Sequence, residues 1–153
     1  MKQLYSYAVP YLDAPIMSLH QLVYLSESTS KMSSDDLLPI LNQAKPNNAA
    51  IDVTGSLFYN GGWFLQVLEG PAATLTALYE KISKDPRHKN LRLLYNEPAE
   101  FRTFTRWSMN MTNLDDRQSD KYEELVEIIE AAKAGRRIRS MSPAVVLLHM
   151  FRT

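Results

Sequence analysis

Val53-Thr54-Gly55-Ser56-Leu57-Phe58-Tyr59-Asn60-Gly61-Gly62-Trp63-Phe64-Leu65-Gln66-Val67-Leu68-Glu69-Gly70-Pro71 reads as a β-hairpin. Both arms are rich in aromatic and aliphatic residues, the composition that suits a pleated surface. Asn60-Gly61-Gly62 is a tight-turn signal, because paired glycines supply the positive φ angles that a two-residue loop needs. Gly70-Pro71 ends the second arm. Successive side chains on a strand point to opposite faces, so Gln66 shares its face with Phe64 and Leu68. A primary amide there faces apolar surroundings, and leaving it unpaired costs roughly 1–3 kcal/mol. Two readings stand: a structural glutamine bonded to neighbouring backbone, or a glutamine that meets a ligand.

Outward from the hairpin, Leu19 to about Ser26 reads as a strand, marked by Leu19, Val23 and Leu25 with Tyr24 among them. Ser28 to Ser34 reads as loop. Leu37, Ile40, Leu41 and Ala44 fall at i, i+3, i+4, i+7 and predict a helix, which Asp35 and Asp36 suit at its start. Pro39 moves the predicted start to near Asp36, and Pro46-Asn47-Asn48 predicts its end. A second helix is predicted from about Ala72 to Lys84, with Leu75, Leu78, Tyr79 and Ile82 on one face. Asp85-Pro86 stops it. Leu91–Tyr95 and Trp107–Met111 complete the strands. The order is βαββαβ with one further strand, an α+β, ferredoxin-like βαββαββ sheet with two helices on one face. Many unrelated functions use that architecture.

The ends read differently. Tyr5, Tyr7, Pro10, Tyr11 and Pro15 break any period, so residues 1–16 are expected to be an extension or leader, with Met17 a natural start for the first strand. Residues 17–114 are the expected domain. Over 115–153, Tyr122, Leu125, Val126, Ile129 and Ala132 predict an amphipathic helix that Gly135 stops. Arg136, Arg137 and Arg139 form a basic linker, and a last helical stretch starts near Pro143. This tail is expected to cap the free face of the sheet, and the same cap can serve as an output surface.

Composition narrows the function classes. The 153 residues suit one domain with a real core. Lys plus Arg and Asp plus Glu are 17 each, so no overall positive charge favours nucleic acid. No cysteine is present, which removes thiol catalysis, disulfides and the usual zinc sites, and suits a reducing cytosol. No apolar run approaches the roughly 20 residues that span a bilayer. His20, His88 and His149 are far apart, and no metalloprotease, phosphate-loop, dinucleotide or nucleophile-elbow motif occurs.

Leu22-Val23-Tyr24-Leu25-Ser26, Asn47-Asn48, Val53-Thr54-Gly55, Phe64 to Pro71, Asp85-Pro86-Arg87-His88 and Trp107-Ser108-Met109 together resemble a BLUF domain, the flavin-binding blue-light sensors. The resemblance spans about residues 18–113. It implies that Tyr24 is the photoactive tyrosine, which gives an electron to the excited flavin. Gln66 is implied to lie between that tyrosine and the flavin N5 and O4 atoms. Asn48 is implied to bind the polar edge of the ring, with Asn47 as a second polar contact, and Ile40 and Ile82 to sandwich the ring. Lys81, Arg87 and His88 match positions near the ribityl phosphate, and Trp107 and Met109 match residues that pass the signal onward. Each also has a plain structural reading: core packing for Tyr24, Ile40, Ile82, Trp107 and Met109, a turn for the asparagines, solvation for the cations. Pro39, Pro46 and Val53 depart from the family's pattern.

The implied function is a cytoplasmic, non-enzymatic photoreceptor holding FAD, with FMN or riboflavin as alternatives. It would signal to a separate protein or through its own homo-oligomer, without direct nucleic-acid or membrane contact. The tail is too short for a cyclase or phosphodiesterase domain. The alternatives are a light-inert small-molecule-binding or protein-interaction module on the same fold, and an acylphosphatase-like hydrolase, for which no phosphate loop is evident.

Overall fold

The computed structural model describes residues 18–104, 109–116 and 123–136. Among them, five strands and three helices run in the order β1 (Leu19–Ser28), α1 (Ser34–Ala50), β2 (Thr54–Asn60), β3 (Trp63–Pro71), α2 (Ala72–Ser83), β4 (His88–Pro98), β5 (Asn110–Asn113) and α3 (Glu123–Lys133). A 3-10 turn, Leu114–Asp116, comes after β5.

The hairpin forms as its sequence predicts. Asn60 pairs with Trp63, and Gly61 and Gly62 sit at φ 54° and 87°, the left-handed values that favour glycine. β1 then lies antiparallel between β3 and β4, and β5 joins the outer edge of β2 in parallel, giving the order β4-β1-β3-β2-β5. This is the ferredoxin-like α+β arrangement. Its fifth strand is Asn110–Asn113, with Met109 just before it; Trp107, where the predicted strand starts, lies outside the described residues. The fourth strand runs well beyond the predicted Leu91–Tyr95 at both ends.

The sheet separates two cores. On one face Leu22, Tyr24, Leu57, Phe64 and Leu68 meet Leu37 of α1 and Leu75 of α2. On the other, Val23, Leu25, Phe58, Leu65 and Val67 meet Leu125, Ile129 and Ala132 of α3. The alternation along β1 and β3 therefore serves both layers, and the tail helix does cap the second face. The basic linker beyond Arg136 and the stretch after Pro143 lie outside the described residues, as does the 1–16 extension.

α1 corrects one expectation. It starts earlier and ends later than Pro39 and Pro46 suggest, and it carries both prolines inside. Its start is secured by a capping box: Ser33 accepts from the Asp36 amide, and the Asp36 carboxylate accepts from the Ser33 amide. Its end is secured by the Asn48 carbonyl, which accepts from the amides of Ile51 and Val53. Leu37 and Asn48 anchor the helix to the protein interior. Caps and burial together hold a helix that local propensity alone would break.

Candidate functional site

Between α1 and α2, above β1, β2 and β3, lies a cavity of about 550 Å³. That size is in the range of small-molecule and cofactor pockets. Its floor is buried and comes from the strands: Tyr24, Leu57, Phe64 and Gln66. Ile40, Ala44, Asn47 and Asn48 reach it from one side, at the i, i+4, i+7, i+8 spacing of one helical face. Leu78, Lys81 and Ile82 reach it from the other. Asn48 is buried and Asn47 exposed, so the two amides stand at different depths. The rim is charged, with exposed Lys81 and Lys84 and half-buried Asp85 and Arg87.

The floor is organised by cross-strand pairing. Tyr24 and Gln66 stand directly opposite on β1 and β3, so their side chains share a face and meet. The Tyr24 hydroxyl donates to Gln66 Oε1. Gln66 Nε2 donates to Met109 Sδ at 3.4 Å. The buried amide is thus satisfied at both ends by side chains, and by a sulfur that accepts only weakly. Burial pushes the Tyr24 phenol well above the usual tyrosine range, and the nearby Tyr79 and Asp85 push it further. It remains a protonated donor at any ordinary pH. Tyr79 packs edge-on at 5.6 Å between ring centroids, and its own phenol is also raised by burial.

His88 also packs edge-on to Tyr24, with ring centroids 6.2 Å apart. Its Nε2 lies 2.7 Å from the Ile82 carbonyl and its Nδ1 2.8 Å from Ser26 Oγ. A carbonyl only accepts, so Nε2 carries a hydrogen and the ring is fixed in orientation. His88 lines the cavity with both nitrogens already engaged. Arg87 is gripped by Asp85 through Nε at 2.9 Å and Nη2 at 2.5 Å, and its Nη2 also reaches Gln43 Oε1 at 3.2 Å. Hydrogen bonds from that guanidinium hold the Asp85 carboxyl below the usual aspartate range.

Every described residue singled out from sequence therefore lines this one cavity: Tyr24, Ile40, Asn47, Asn48, Gln66, Lys81, Ile82, Arg87, His88 and Met109. Trp107 lies outside the described residues. Sequence reading gave no site role to Gln43, Lys84 and Asp85 at the rim or to Leu57 and Phe64 in the floor, although Asp85 and Phe64 stand within the quoted motifs. Gln43 sits three residues after Ile40, and that spacing was the available signal.

The cavity suits a flat ring with apolar faces and a polar edge. Aliphatic side chains stand on its two helical sides, amides stand at its polar positions, and cations at the rim can meet phosphate. Residues 19–110 match the model of the BLUF family, described as sensors of blue light using FAD. The chain is 30% identical over 135 residues to a photoactivated adenylate cyclase subunit beta from Euglena longa, covering 87% of this chain and 16% of that protein. It is 33% identical over 96 residues to the blue light- and temperature-regulated antirepressor BluF of Escherichia coli, covering 63% of this chain and 24% of that protein. The chain thus spans less than a quarter of the length of these curated relatives. Among solved structures, the dark state of BlrB, a BLUF protein, superposes with a TM-score of 0.69 at 26% identity, covering 88% of this chain and 98% of that one.

Proposed function

Because the chain belongs to the BLUF family, whose domains bind FAD and sense blue light, we propose that its cavity records light as a change of hydrogen bonding at Gln66. The observation that carries this reading is the relay Tyr24–Gln66–Met109 across the cavity floor. Ile40 and Ile82 would hold the ring faces, Asn48 and Gln66 its polar edge, and Lys81 and Arg87 the phosphates. When bound, the flavin supplies the absorption of blue light and an excited state able to take up an electron.

Tyr24 is the donor of that electron in this proposal. Its proton leaves along the existing hydrogen bond toward Gln66 Oε1, and it returns when the electron does. The phenol is then restored, and the amide is left changed, by rotation or as its tautomer. Rotation needs almost no movement of heavy atoms, because the two ends of an amide are nearly the same shape. It turns Nε2 toward the Tyr24 oxygen and Oε1 toward Met109. Two acceptors then face each other at the sulfur, and the bond that held Met109 to the strand is lost. β3 is the input element and β5 the output. The partner reached from there is a separate protein or a second copy of this chain.

In support of the light-sensor reading, the relatives' own names couple light to a cyclase in one case and to an antirepressor in another; a non-enzymatic role for this chain is part of the proposal. Domain limits of 17–114 and a cytoplasmic setting belong to the same proposal. Among the described residues no helix is long and apolar enough to cross a membrane.

The test is an absorption spectrum of the FAD-loaded protein before and after blue light. A small red shift that reverses in darkness is expected for the natural sequence. Tyr24→Phe is expected to bind FAD and to lose the shift. A Tyr24→Phe protein that shifts normally would remove Tyr24 from the mechanism.

A further inference from the structure

Three residues beyond Gln66, on the opposite face of β3, Glu69 is wholly buried. It stands in a cross-strand row with Gln21 on β1 and Thr54 on β2. A buried carboxyl group needs hydrogen-bond donors, and Glu69 has them from an unexpected direction. Oε2 accepts from the Thr103 amide and from Gln21 Nε2, both at 2.7 Å. Oε1 accepts from the Phe104 amide at 2.7 Å, with the Thr54 hydroxyl farther off at 3.5 Å. Gln21 Nε2 also reaches Thr103 Oγ1 at 3.1 Å.

The neighbouring Arg102 fastens the same segment a second time. Its Nη1 donates to Thr54 Oγ1 at 2.9 Å and to the Glu69 carbonyl at 3.2 Å. Its Nη2 donates to the Asp52 carbonyl at 2.9 Å and pairs with the Asp52 carboxylate at 3.1 Å. Residues 102–104 are therefore tied to β2 and β3 at every position, and Phe104 is seated in the core beneath α3. Five residues later the chain reaches Met109, which accepts from Gln66 on the other face. One strand thus carries both the switch amide and the anchor of the segment that delivers its partner.

We propose that Glu69 is a positioning residue for the Gln66 switch: it clips segment 102–104 to β3 so that Met109 meets the Gln66 amide. This rests on Gln66 acting as the light-driven switch. Core packing alone does not call for a carboxylate at this point. Two backbone amides do, because a glutamine in place of Glu69 has one acceptor oxygen and would turn its NH₂ toward one of them.

The experiment is a double-mutant cycle on the rate at which the light-induced red shift decays in darkness. It uses the FAD-loaded full chain with Glu69→Gln, Met109→Leu and both together. Leucine keeps the volume of methionine and removes the sulfur. Glu69→Gln is expected to change the recovery rate by about threefold or more, and to do nothing further once Met109 is leucine, the pattern of residues that act through one contact. If Glu69→Gln does not fold, Arg102→Ala loosens the same segment from its solvent side and enters the cycle instead. Unaltered recovery, or an effect of the same size in the Met109→Leu background, overturns the proposal. A natural protein that shows no red shift at all fails the switch reading itself, which is a different result from an additive cycle.

Discussion

The Tyr24 phenol is enclosed by Tyr79 and His88 and bonded to Gln66, and that enclosure makes its anion unfavourable. An unfolded chain releases the Tyr24 proton near the ordinary tyrosine value of about 10, whereas the folded chain keeps it. The contribution of this group to stability is complete below about pH 10 and declines as pH rises above it, by about 1.4 kcal/mol per pH unit. Urea unfolding from about pH 8 to about pH 11 is expected to show a shallower alkaline decline in Tyr24→Phe than in the natural sequence; parallel slopes would mean that Tyr24 ionises freely. At this scale the sequence was informative where alternation along a strand exposes an oddity, as it does for an amide between Phe64 and Leu68. It was silent about Glu69, because the amides that satisfy it lie 34 and 35 residues away. No local pattern encodes such a pairing. Gln43, Lys84 and Asp85 escaped for another reason: a polar residue at a pocket rim has the same local signature as one in free solvent.

Among the elements, the β2–β3 pair is the most closely drawn. A Cβ built on Gly55 would lie 2.1 Å from the Val67 carbonyl oxygen, and 3.3 Å from the Leu68 Cα. These are backbone atoms of the partner strand, so no side chain can turn aside. Gly55→Ala is expected to destabilise by about 3 kcal/mol, the upper part of the usual overpacking range, as a lower urea midpoint at constant slope. The next residue is expected to behave oppositely. Ser56 Oγ is buried with no hydrogen-bond partner among the described residues, so Ser56→Ala should be neutral or stabilising, within about 1 kcal/mol. A Gly55→Ala loss as small as that expected for Ser56→Ala would show that strand flexibility absorbs the Gly55 contact. α1 shows where local reading stops being reliable. Two prolines argued for a shorter helix, yet the capping box at Ser33 and the burial of Leu37 and Asn48 sustain it through Ala50. The extra length matters to the site, since it puts Asn47 and Asn48 on the cavity-facing helical surface instead of in a turn.

At the level of the whole molecule, a sheet with a core on each face has one of those cores interrupted by the cavity. A bound flavin would complete that layer and stabilise the folded state in proportion to its occupancy. Free FAD at about one hundred times its dissociation constant is expected to add about 2.7 kcal/mol, seen as a melting temperature that climbs with FAD concentration. A melting temperature indifferent to FAD would mean that the cavity does not hold it. The two-helix face and the capping helix were legible from apolar periodicity. The parallel docking of β5 beside β2 was not, because strand order is set by contacts between distant segments. The odd spacing of Gln66 and Glu69 has a consequence for how such a strand can vary. Inserting one residue between them would leave the chemical inventory intact and shift the phase of everything beyond it, turning the carboxyl group into the flavin layer and leaving the two loop amides facing apolar neighbours. The length of β3 between these two positions is therefore fixed as firmly as the identity of the side chains it carries.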